Sequence, residues 1–188
     1  MERILALLKK RIDLLLARQD QVIIAIDGNC TAGKTTLAGI LAEQYNCNVF
    51  HMDDFFLQPH QRTEARLSEP GGNVDYERFK EEVLDPVADT NGVTYRPFSC
   101  HEWKLADKAI TIPYNDIVIV EGSYSHHPHF EDVYDVKIFL EISPDEQKKR
   151  IIARDGKDIW PMFEQKWIPM ENTYFKFYKI KEKSDFTA

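Results

Sequence analysis

Residues 27–36 read DGNCTAGKTT and follow the apolar run QVIIAI. Residues 28–35 satisfy the spacing G-x-x-x-x-G-K-[ST] in full. A turn this poor in side chains suits a ligand that must approach the backbone. Gly28 and Gly33 let the chain curl so that successive N–H groups point inward. A following helix adds the positive end of its dipole. The pattern supports polyphosphate binding by Gly28, Asn29, Cys30, Thr31, Ala32, Gly33, Lys34, Thr35 and Thr36. Lys34 is placed to reach the β and γ phosphates of a nucleotide, and the Thr35 hydroxyl to bind Mg²⁺. Cys30 is either a reactive thiol or a small space-filling side chain, and we read it as the latter.

Three further stretches carry groups that suit phosphoryl chemistry. HMDDFF begins at His51, where an apolar run ends; Asp53 there can take a proton from an acceptor hydroxyl or help hold Mg²⁺. DIVIVEG at 116–122 ends in Glu121, a second candidate for Mg²⁺, directly or through water. Arg150 and Arg154 stand one helical turn apart. They can close over a nucleotide and neutralise a transferred phosphoryl group, or simply serve as cations at a helix C-terminus.

The elements that must position these groups are legible as hydrophobic runs. Strands are expected at 22–26, 48–52, 117–120 and 136–142. The first and third are continuously apolar, as in a parallel sheet covered on both faces. Helices are expected at 36–45, 76–87 and 162–180. Another starts at Ser143-Pro144-Asp145-Glu146, where serine caps and proline takes the first turn; it runs to about Arg154, and Gly156 ends it. An amphipathic helix is expected within residues 1–20, with Ile4, Leu8 and Ile12 on one face. Residues 57–74, with Pro59, Pro70, Gly71 and Gly72, read as a mobile loop, and 154–162 as a short lid. Strands alternating with helices give a three-layer α/β fold, and the 188 residues suit a single domain.

Bulk properties exclude several classes. A formal charge of −7 disfavours a nucleic-acid surface. The N-terminal apolar stretch is broken by Lys9, Lys10, Arg11 and Asp13, so no membrane span or leader is expected. Three well-separated cysteines suggest reduced thiols and a cytoplasmic setting. His126, His127 and His129 in SYSHHPHF lack a completing ligand pattern and read as a surface loop rather than a zinc site.

Together, the phosphate loop, DDFF after the second strand, NVDYERF at 73–79, EG at 121–122 and RIIARD at 150–155 resemble the uridine kinase branch of the P-loop kinases, a group that includes phosphoribulokinase-like proteins. The resemblance covers about residues 22–174. It implies a five-stranded parallel sheet of order 2-3-1-4-5, with ATP and Mg²⁺ as cofactors. It also implies transfer of the γ-phosphoryl to a hydroxyl of a small-molecule acceptor, often the ribose 5′-OH of a uridine- or cytidine-like nucleoside. Asp53 matches the general base, Asp75 a residue that binds the acceptor's sugar hydroxyls, and Arg154 a lid arginine. Tyr95, Arg96, Phe98 and His101 lie in the segment that matches the nucleobase-reading one. Trp103 stands where the family commonly has arginine, and the tail KIKEKSDFTA stops where the family usually continues with a final short strand. Another small alcohol as acceptor, or a regulatory nucleotide-binding protein, remains open; no guanine-reading N-K-x-D element occurs. A homo-oligomer is compatible with all of these readings.

Overall fold

The computed structural model describes residues 2–130 and 132–188. Helix α1, Glu2–Leu16, turns Ile4, Leu8 and Ile12 inward, with the last two fully buried. Burying each such side chain contributes about 1.5–3 kcal/mol, so α1 is bound into the fold. Strand β1, Val22–Gly28, is buried along its whole length. Helix α2, Lys34–Tyr45, starts directly after Gly33 and stops at Asn46, which is left-handed at φ 50°. Strand β2 is Asn48–His51 and runs into a 3₁₀ turn, Met52–Phe55.

Short helices α3, Glu64–Ser68, and α4, Tyr76–Phe79, follow, and α4 continues as a π turn through Lys80–Leu84. Strands β3, Val93–Tyr95, β4, Phe98–Ser99, β5, Lys104–Leu105, and β6, Ile110–Ile112, form two small antiparallel pairs, β3 with β6 and β4 with β5. Strands β7, Ile117–Glu121, and β8, Val136–Leu140, are separated by the segment 122–135. Helix α5, Pro144–Asp155, is capped by Ser143 and ends at Gly156, at φ 92°, as its sequence signals require. Helices α6, Trp160–Met162, and α7, Ile168–Tyr178, are joined by a π turn, and β9, Phe186–Thr187, closes the chain.

The main sheet has the order β2-β7-β1-β8-β9, with every neighbouring pair parallel. Numbered within that sheet, this is the expected 2-3-1-4-5. Alternation along the strands sends Val118 and Val120 to one face and Ile117 and Ile119 to the other. One face packs on α4, the segment after β7 and α7; the other packs on α1 and α2. This is the three-layer α/β arrangement.

Three expectations need correction. The tail, expected to stop short of a final strand, supplies one: β9 pairs with β8, and Ala188 N–H donates to Phe139 O at 3.1 Å. Residues 57–74, expected as a mobile loop, hold a 3₁₀ turn at Pro59–Gln61 and helix α3. The signal for both is local: Pro59 at a first turn, and Thr63, whose hydroxyl caps α3. The SYSHHPHF segment is no surface loop either, because Ser125, His126 and His127 are buried. No helix among the described residues is long and apolar enough to cross a membrane.

Candidate active site

The turn between β1 and α2 is built as its residue types require. Gly28 has φ 134°, and a Cβ there would lie 2.0 Å from Leu140 O, so only glycine lets the loop begin against β8. Gly33 has φ 103°, and a Cβ there would meet nothing within 4 Å, so the cradle is open on that side. Lys34 Nζ donates to Gly28 O at 2.7 Å and to Asn29 O at 2.9 Å, folding back over the loop. Both arginines of α5 reach the same loop. Arg150 donates to Thr31 O at 3.1 Å, and Arg154 to Cys30 Sγ at 3.6 Å.

At the carboxyl ends of the neighbouring strands, Thr35 Oγ1 donates to Glu121 Oε1 at 3.1 Å. His51 Nδ1 lies 2.6 Å from the same oxygen, and this contact raises the His51 pKa against the opposing effect of burial. A hydroxyl beside a carboxylate is the hard-oxygen pair that suits Mg²⁺, a metal that takes few protein ligands and keeps much of its water. Asp53 projects beside this pair. Protein atoms crowd its carboxyl although solvent reaches the residue; this crowding, then the Glu121 charge, raises its pKa, while Lys34 and His51 pull it down. Among the described residues no hydrogen-bond donor engages the Asp53 carboxylate. Asp54 differs: Tyr95 Oη donates to its Oδ2 at 2.9 Å. The structure thus gathers Lys34, Thr35, Asp53, Glu121, Arg150 and Arg154 at one end of the sheet, where parallel α/β folds bind ligands.

The residues expected on the acceptor side are placed otherwise. Asp75 is buried and caps α4: Oδ1 accepts from Arg78 N at 3.1 Å, and Oδ2 from Gln61 Nε2 at 2.7 Å. Tyr95 packs its ring against Phe55 and Phe50, and Phe98 is buried with its ring perpendicular to that of Trp103. Arg96 and His101 are exposed. The β4–β5 hairpin packs on the 3₁₀ turn that carries Asp53 and Asp54, and the charges of both help burial to raise the Cys100 pKa. Trp103, at the hairpin tip, is left-handed at φ 55° and carries the Arg62 guanidinium 5.2 Å above its ring.

Several contributors escape a reading of the sequence. Asp27 is fully buried and accepts from four donors: the amides of Gly28, Tyr124 and His126, and the Tyr174 hydroxyl. It therefore locks the start of the phosphate loop to the segment after β7 and to α7. Glu171 of α7 accepts from Cys30 N at 3.1 Å and from Ser123 Oγ at 2.6 Å. Burial raises its pKa, while Lys34, Ser123 and the Cys30 amide oppose the rise. Asp27 has a signal, an acid at the end of an apolar run; Ser123 and Glu171 have none.

The fold and this loop define a P-loop kinase fold. No protein-family model matches the chain, and no curated protein matches it in sequence. Among solved structures it is similar to a possible uridine kinase from Bacillus stearothermophilus, at 19% identity, covering 96% of this chain and 98% of that one, with a TM-score of 0.68. It is also similar to the YGR205w protein, at 14% identity, over 93% of this chain and 85% of that one, with a TM-score of 0.60. At these identities the likeness is one of fold: a P-loop kinase fold of the uridine kinase-like form.

Proposed function

We propose that the protein is a small-molecule kinase that transfers the γ-phosphoryl of ATP to an alcohol. The observation that carries this reading is the solvent-reached Asp53 beside the Thr35–Glu121 pair, at the mouth of the phosphate loop. The loop amides and Lys34 would hold the polyphosphate, and Thr35 and Glu121 would hold Mg²⁺. Bound Mg²⁺ would supply charge neutralisation on the phosphate oxygens. Asp53 takes the proton of the acceptor hydroxyl as that oxygen bonds to phosphorus and the bond to the departing ADP breaks. Lys34, Arg150 and Arg154 stabilise the charge on the transferred group.

A nucleoside acceptor is supported by the uridine kinase-like fold. The burial of Tyr95 and Phe98 and the two hydrogen bonds on Asp75 favour a different, smaller alcohol. ADP release measured against a panel of nucleosides, sugars and other small alcohols decides between them. Acceptor-dependent turnover with any member supports the kinase, and a rate unchanged by every member rules it out.

A further inference from the structure

Glu171 and Ser123 lie outside the residues that the proposed reaction uses, yet both touch the phosphate loop. Glu171 comes from α7 and is only 6% exposed. One carboxylate oxygen takes the Cys30 amide, and the other takes the Ser123 hydroxyl at 2.6 Å. A bond that short to a carboxylate is charge-assisted, so it claims the single hydroxyl proton of Ser123. The Ser123 lone pairs are then left for donors. Lys34 Nζ is such a donor, 3.4 Å away. The same hydroxyl also lies 3.4 Å from Gly28 O, but with its proton committed to Glu171 it has none to give there.

We infer that Glu171 is a positioning residue of the phosphate loop, acting on Lys34 through Ser123 and on the loop backbone through the Cys30 amide. Three acceptors, Gly28 O, Asn29 O and Ser123 Oγ, surround the ammonium group. The two carbonyls are part of the loop and hold the lysine wherever the loop goes. Ser123 belongs to the segment after β7, so it ties the lysine to the sheet end that carries Glu121. Without Glu171, the serine proton can turn toward Gly28 O and leave Lys34 without its third acceptor. A lysine so released reaches a terminal phosphate with a larger loss of side-chain freedom.

The inference rests on the nucleotide reading above, and calorimetric titration separates the two. Glu171→Gln, Ser123→Ala and the double variant are titrated with MgATP and with MgADP. If one relay links the residues, Glu171→Gln weakens MgATP by about tenfold and Ser123→Ala by no more than that, the double variant falls no further than Glu171→Gln alone, and MgADP, whose β phosphate Lys34 still meets, weakens by a smaller factor than MgATP. Effects that multiply in the double variant, or that fall equally on MgADP, would mean only that α7 has lost its docking, and overturn the relay. Tighter MgATP binding by Glu171→Gln would make the carboxylate a competitor of phosphate and also overturn it. If Glu171→Gln does not fold, Ser123→Ala alone decides, and an unchanged MgATP affinity there sinks the idea. If the unaltered chain binds neither nucleotide, the nucleotide reading itself fails, and the relay with it.

Discussion

Asp53 differs from the other carboxylates at the strand ends because they are engaged. Glu121 holds Thr35 and His51, Asp54 holds Tyr95, and Asp27 is saturated by four donors. A base must keep a lone pair for its substrate, so Asp53 is the group to remove. Asp53→Asn should lower acceptor-dependent kcat by about 10²- to 10⁴-fold, with MgATP affinity within a few-fold of the parent. Steady-state kinetics beside calorimetry checks this, and full transfer by the variant would exclude Asp53 as base. The direction of its pKa sets two pH effects. The active form is the carboxylate, so the acid limb of the rate profile lies above that of a free aspartate. A carboxyl whose pKa is raised by folding adds stability only at low pH and loses it as pH rises through the folded value. At pH 7, Asp53→Asn should therefore melt no lower than the parent, a comparison that scanning calorimetry makes directly. Lys34, Thr35, Asp53 and Glu121 are legible in the sequence because each follows an apolar run or lies in one ten-residue motif. Asp27–Tyr174 and Cys30–Glu171 are not, because their partners lie 147 and 141 residues apart and no local pattern joins them.

Residues 57–74 show how a segment that looks like a connector is held in place. Arg66 of α3 donates to Gly72 O and Val74 O at 3.0 Å each, pairs with both Glu77 oxygens at 2.6 Å, and lies 3.8 Å above the Tyr76 ring. Its planar fork serves backbone and carboxylate at once, which lysine cannot do. Pro59, Pro70 and the glycines dominate the composition of this stretch, so one arginine's reach across it is invisible to pattern. Arg66→Ala leaves two carbonyls without this donor and should cost about 1–3 kcal/mol. Arg66→Lys should recover less than half of that loss, as urea unfolding of both variants would show; full recovery by lysine would reduce the clamp to charge alone. The tail makes a parallel case. DFTA is too short to read as a strand, yet Asp185 accepts from Lys137 N at 2.7 Å and Ala188 O accepts from Glu141 N at 2.7 Å. Removing residues 185–188 uncovers the outer edge of β8, so the shortened chain should melt lower and aggregate sooner on heating. An unchanged melt with unchanged light scattering would show that β9 contributes little.

Four segments on one face of the sheet meet at His127. Its ring stacks on Tyr76 at 4.2 Å and lies parallel to Tyr174 at 6.3 Å, and a Cβ on Gly71 would come within 2.9 Å of it. One neutral imidazole therefore joins α4, α7, the 57–74 segment and the segment after β7. Burial, then the neighbouring His129 and Arg66, push its pKa down to about 3, with Glu77 opposing. The sign follows from which state takes the proton. Between the ordinary histidine value of about 6.5 and the folded value, the unfolded chain binds a proton that the folded chain refuses. Stability from this group is present above about pH 6.5 and is lost as pH falls toward the folded value, at up to about 1.4 kcal/mol per pH unit. His127→Phe keeps a flat ring between the two tyrosines but cannot take a proton. It gives up the acceptor for His129 N–H, 3.3 Å away, so its absolute stability can fall. The slope is the informative quantity. Urea unfolding at pH 7, 6, 5 and 4 should give a steeper decline for the parent than for His127→Phe, because every other titrating group is common to both. Parallel declines would mean that the imidazole titrates alike in the folded and unfolded chains, and that the molecule's acid sensitivity originates elsewhere.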